Sequence, residues 1–296
     1  MNGKLTCGFF AAAAGAALIS LALPGPGATA AGAALRPSAL AADAVPVTAY
    51  VLDQARNQVI PIDTVTNTAL RVIKVGKFPG AIAITAGGKK AYVANSGGDH
   101  VTPINTVTNR AGKAITVGAH PDAIAITPDG TTAYVVNAGS HTVTPISTAT
   151  NTAGNAIPVG SAPWAIAITP DGSTAYVVNF NSGTVTPIST ATDTARKAIT
   201  VGRYPHVIAI TPDGKTAYVV NLFSRTVTPI RTATNTALKQ IRVGVAPAAI
   251  AITPDGTAAY VANSDSGTVT PINTAANKPG KPIDAGFNPV AIAITP

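Results

Sequence analysis

Six tyrosines stand 42 residues apart: Tyr50, Tyr92, Tyr134, Tyr176, Tyr218 and Tyr260. A fixed period near 40 residues restricts a chain to architectures built from one repeated unit, such as propeller blades or solenoid coils. Around Tyr134 the unit reads Ala-Ile-Ala-Ile-Thr-Pro-Asp-Gly-Thr-Thr-Ala-Tyr-Val-Val-Asn, over 123–137. The first five residues alternate small and large side chains at period two, as a strand does. Pro-Asp-Gly is turn chemistry: Pro presets φ, Asp bonds the local backbone and Gly accepts a positive φ. Ala-Tyr-Val-Val-Asn is a second run of strand formers. Each unit holds four such runs, in the third repeat at 123–127, 133–137, 142–146 and 156–159. We call them strands a, b, c and d. No segment has helical periodicity or helix caps. Four short strands in about 40 residues match a propeller blade, whereas the shorter coils of a parallel β-helix fit badly.

With the repeat in hand, a family resemblance is visible. Tyr134-Val135-Val136-Asn137, Thr142-Val143-Thr144-Pro145-Ile146, Thr148-Ala149-Thr150-Asn151-Thr152 and Ile168-Thr169-Pro170-Asp171-Gly172 together resemble the YVTN-type β-propeller repeat, over residues 50–296. The resemblance implies an all-β propeller of four-stranded antiparallel blades. It covers surface-layer and secreted propellers and the propeller domains of redox enzymes, so it says little about activity. One feature departs from the pattern. Pro61, Pro103, Pro145, Pro187, Pro229 and Pro271 occupy strand c where the family has an apolar residue. Pro cannot donate to a ladder, so strand c should pair poorly with strand d at that point.

The unit count predicts how the ring closes. The N-terminal unit begins at strand b and has no strand a, while 291–295 repeats strand a alone. Joining that strand to the N-terminal three would complete six blades and remove the open edges. A truncated seven-bladed ring is the rival, but 31–49 supplies no further blade. The propeller should therefore span 47–296.

Residues 1–30 read as a secretory signal peptide. One positive charge precedes the apolar run 5–23, and Ala28-Thr29-Ala30 is an A-x-A cleavage signal. An uncleaved membrane anchor is the alternative reading. Residues 31–46 form an Ala/Pro-rich leader of disordered composition. The one cysteine, Cys7, lies inside the signal segment, so the mature chain has no thiol for disulfides or metal.

Successive blade strands are antiparallel, so loops a–b and c–d share one face and loops b–c and d–a the other. The first face is uniform, and turn geometry accounts for its Asp and Asn. The second varies. Its d–a loops share only a Pro and carry Phe78, His120, Trp164, Tyr204, His206 and Phe287. Its b–c loops carry His100, His141, Phe180, Phe223, Arg225 and Asp265. After the signal segment every aromatic other than the six tyrosines, and all four histidines, fall in these two loop sets. Loops on a rigid scaffold commonly carry recognition residues, and clustered aromatics mark contact sites. The candidate ligand-binding residues are His120, Asp122, Trp164, Arg203, Tyr204 and His206.

Nothing in the chain spells out a catalytic centre. There is no Glu for paired-carboxylate work, no nucleophile elbow, and no dinucleotide, phosphate-loop or haem-attachment pattern. The histidines come from separate loops without metal-ligand spacing. No catalytic residue, cofactor or metal is predicted. The net charge of +8 owes as much to scarce acids as to Arg and Lys. Ten basic residues, Arg71, Lys74, Arg110, Lys113, Arg196, Lys197, Lys239, Arg242, Lys278 and Lys281, lie around the c–d turns and strand d, where they protect outer edges. The reading is a secreted or cell-surface, non-enzymatic binding module: a monomer, without a membrane span after signal cleavage, meeting a cell-envelope polymer or a protein partner rather than nucleic acid. The alternative is an exported lyase, hydrolase or redox-associated enzyme that uses His and Asp of the varied face.

Overall fold

The computed structural model describes residues 47–295. The expectations for 1–30 and 31–46 lie outside the described residues, as does Pro296. The described chain forms six antiparallel sheets and no helix. It is an all-β, six-bladed β-propeller arrangement, with one sheet per 42-residue unit.

Strand b runs Thr48–Asp53, Lys90–Asn95, Thr132–Asn137, Thr174–Asn179, Thr216–Asn221 and Ala258–Asn263. Strand c runs Gln58–Asp63, His100–Asn105, Thr142–Ser147, Thr184–Ser189, Thr226–Arg231 and Thr268–Asn273. Strand a is present in five sheets: Pro79–Ile84, Pro121–Ile126, Pro163–Ile168, Pro205–Ile210 and Pro247–Ile252. The order is a-b-c-d, and the a strands of successive sheets lie against one another.

Strand d shows what the repeated Pro does. In the third sheet it is split into Thr152–Ala153 and Ile157–Pro158, which pair with the two ends of strand c. The Pro145 carbonyl accepts from Gly154 N at 2.8 Å, so this side of Pro145 faces strand d. The missing N–H is on the same side. Strand d has nothing to accept there, and it swings away before rejoining the ladder.

The small-large alternation is consumed between sheets. Tyr134, Val136, Val143, Ile157, Ala123 and Ala125 of the third sheet pack on Ala175, Val177, Ile188, Ile166 and Ile168 of the fourth. Ala faces Ile across the inner strands, which is how two tapering sheets keep close contact. Each interface also carries a latch. The Tyr134 hydroxyl donates to Asp193 Oδ1 at 2.6 Å and lies 3.4 Å from Thr190 O, both in the following c–d turn. Tyr50, Tyr92, Tyr176 and Tyr218 do the same toward Asn109, Asn151, Asn235 and Asn277, at 2.6–2.7 Å. Those turn residues hold a positive φ, near 50–56°, which Asn and Asp tolerate better than most side chains. The c–d turn residues thus have a partner in the preceding sheet as well as a turn to make.

The expected closing pair is not formed. Strand Thr48–Asp53 pairs with Gln58–Asp63 alone, and 291–295 lie outside any strand. Among the described residues no packing comparable to the other interfaces joins the sixth sheet to the first. Ile283 is 50% exposed, whereas Ile73, Ile115, Ile157, Ile199 and Ile241 are at most 7% exposed. Val51 is 46% exposed, against 0% for Val93, Val135, Val177, Val219 and Val261.

Candidate functional site

The varied face is assembled by two devices at the start of every strand a. The residue before the shared Pro takes a positive φ: 49° at Phe78, 50° at His120, 48° at Ala162, 51° at Tyr204 and 50° at Ala246. Such backbone is strained for these residues and persists only if the surroundings fix it. Here backbone bonds fix it. Leu222 N donates to Tyr204 O at 3.0 Å, and Phe223 N to Arg203 O at 3.3 Å. Phe180 N donates likewise to Ala162 O at 2.9 Å. Each d–a loop is therefore tied to the b–c loop of its own sheet, and their varied residues become neighbours.

The second device is a register shift just after the Pro. Pro121 pairs with Asn137 and Ala123 with Val136, which leaves Asp122 as the extra residue. The same shift falls at Trp164 and His206. A bulge re-aims the side chain it carries, so Asp122, Trp164 and His206 occupy equivalent positions on the third, fourth and fifth sheets.

These devices gather part of the predicted site. Trp164 lies 6.1 Å from Phe180 between ring centroids, Phe180 is 4.8 Å from Tyr204, and Tyr204 is 4.7 Å from Phe223. The rings tilt by 40–54° to one another, within the range aromatic pairs prefer. The result is a four-ring ladder across the fourth and fifth sheets, ending on Phe223, 63% exposed. Phe180 and Phe223 were not among the six candidate residues. Only their presence in b–c loops pointed to them, and the bonds that tie each of these loops to the d–a loop of its own sheet leave no sequence signature. Beside the ladder an open groove of about 520 Å³ is lined by Asn181, Ser182, Thr200, Arg203, Tyr204, Ser224 and Gln240, with Gly183, Val201 and Gly202 at its backbone.

His120, Asp122 and His206 are not part of the ladder. Burial raises the Asp122 carboxyl above the usual range, opposed by the charge of His120. Burial lowers the His206 imidazole, partly offset by its backbone hydrogen bonds. His206 Nε2 lies 3.2 Å from Ala248 O, and its Nδ1 is buried without a hydrogen-bond partner. His141 links two sheets: its Nδ1 accepts from Ala162 N, in the d–a loop of the next sheet, at 3.1 Å. Among the described residues no three His, Asp or Cys side chains converge as a metal site would need.

The uniform face is explained by its own bonds. Asp129 Oδ1 accepts from Thr127 Oγ1 at 2.5 Å and Thr131 N at 3.0 Å. These bonds hold its carboxyl below the usual carboxylate range, despite a small opposing effect of burial. Asp171, Asp213 and Asp255 repeat the arrangement.

No family model matches the chain, and no curated protein matches it. Solved structures do. A functionally unknown protein from Desulfotomaculum acetoxidans superimposes with a TM-score of 0.67 at 23% identity, over 81% of this chain and 80% of that one. A candidate 6-phosphogluconolactonase from Bacteroides uniformis gives 0.63 at 17% identity, over 81% of each chain. Hydrazine synthase of Kuenenia stuttgartiensis gives 0.51 at 21% identity, over 77% of this chain and 92% of that one. At these identities the likeness is one of β-propeller fold.

Proposed function

We propose that the chain is a secreted or cell-surface binding module of YVTN type that recognises its partner through the varied face. The observation that carries this reading is the aromatic ladder Trp164–Phe180–Tyr204–Phe223 beside an open groove. Exposed aromatic clusters on rigid scaffolds are a usual source of contact energy. On the opposite face the repeated Asp and Asn are already engaged in turns and latches. The apolar 5–23 run and its A-x-A signal support export. The test is a thermal-shift ligand screen followed by titration of the Trp164→Ala/Tyr204→Ala double variant. Loss of binding at least tenfold, with the fold retained, is expected; unchanged binding refutes this face as the site.

The exported-enzyme reading rests on Asp122 and His206, whose displaced pKa values both favour the neutral form. Such shifts mark functional sites as well as structural ones. The lactonase and synthase names of the structural neighbours suggest activities to assay. Turnover abolished by His206→Ala would favour this reading; turnover indifferent to it would remove it.

A further inference from the structure

We infer that the groove beside the ladder is a subsite for an acidic glycan, a sugar chain carrying carboxylates. This deepens the proposed binding function and rests on it. The groove's polar side chains keep donors available. Ser182 Oγ accepts from Ser161 N at 2.6 Å, and Ser224 Oγ accepts from Arg203 N at 2.7 Å. Gln240 Oε1 accepts from Thr226 Oγ1 at 3.2 Å. Each accepts one bond within the protein and keeps a donor: two hydroxyl protons and one amide group. Arg203 adds an exposed guanidinium at the groove, and Arg225 follows Ser224 in the same loop. The d–a and b–c loops of the fourth and fifth sheets, 161–164, 180–183, 203–206 and 222–225, contain no Asp. A donor-rich, cationic groove complements an acceptor-rich, anionic ligand.

The aromatic ladder, which meets the groove at Tyr204, selects among such ligands. A pyranose ring presents a flat C–H face that stacks on one open ring, as Phe223 offers at the end of the ladder. A single-stranded nucleic acid stacks successive bases on several open rings along a track of backbone contacts. Here Phe180, Tyr204 and Phe223 are closed against one another at 4.7–4.8 Å between centroids, and two arginines are at hand. Neutral amide and hydroxyl donors suit sugar oxygens, and the guanidinium suits a uronate carboxylate.

The experiment is calorimetric titration of the full chain with a galacturonate hexamer, a galactose hexamer and single-stranded DNA. The hexauronate should bind at least tenfold more tightly than the neutral hexamer. Arg203→Gln should abolish that preference, and Tyr204→Ala/Phe223→Ala should weaken both sugars about tenfold. All three are surface changes that leave the sheet ladder intact. DNA bound as tightly as the uronate, no binding of the uronate, or binding untouched by these substitutions each overturns the inference. The two readings separate cleanly. A screen hit lost in Trp164→Ala/Tyr204→Ala, together with no uronate binding, removes the glycan assignment alone. A uronate that binds that double variant unchanged removes the face itself.

Discussion

A tyrosine hydroxyl gives each sheet its hold on the next, and the consequences are measurable one residue at a time. Tyr176→Phe removes a buried donor to Asn235 Oδ1 at 2.7 Å, and should lower stability by about 1 kcal/mol. Tyr260 has no such bond among the described residues, so Tyr260→Phe should leave the melting temperature unchanged. Parallel melts of the two variants check the contrast. The latches also set an alkaline limit. Burial pushes Tyr92, Tyr176 and Tyr218 up to about 12, from 10.0. Their contribution is whole below pH 10 and disappears as the pH rises toward 12, because only the unfolded chain ionises in that window. The tyrosinate absorbance contributed by these three residues, read as the difference from a variant with all three changed to Phe, should therefore appear together with loss of strand signal. The tyrosines were legible in the sequence as framework residues. Their partners were not, because every repeat shows an Asn or Asp at the same offset. A constant pattern does not say whether a side chain bonds within its own unit or 59 residues on.

At the scale of strands, the repeat placed b and c correctly, and a in five units but not at 291–295, since period-two alternation and Pro-Asp-Gly turns are local signals. The break in strand d was also legible from Pro145 and its counterparts, since a missing N–H has one consequence in a ladder. The bulge after each d–a Pro was not. Asp122, Trp164 and His206 looked like loop residues, yet each sits inside strand a as the extra member of a mismatched pair. Packing grades the strands. Ile188 is fully buried between two sheets, and Ile188→Ala should cost about 2–5 kcal/mol. Ile283 repeats the buried Ile of strand d but is half exposed, so Ile283→Ala should cost well under 1 kcal/mol. Denaturant titration of both variants decides this, and a large loss at Ile283 would mean its face is covered in solution.

For the molecule as a whole, stability is a sum over neighbouring sheets, as in other stacked repeats. The third and fourth sheets are braced on both faces, while Val51 and Ile283 mark faces without that cover. Because 291–295 form no strand with Thr48–Asp53, removing 289–296 should shift the unfolding free energy by about 0.5 kcal/mol or less. A large drop would show that the strand closes the ring after all. The latch has one further consequence, for descent. Each hydroxyl reaches into the following unit, never to a fixed address. A crossover that duplicates or deletes one whole 42-residue unit therefore leaves every internal tyrosine with an acceptor. Blade number can drift with recombination, while what is inherited intact is the seam between blades.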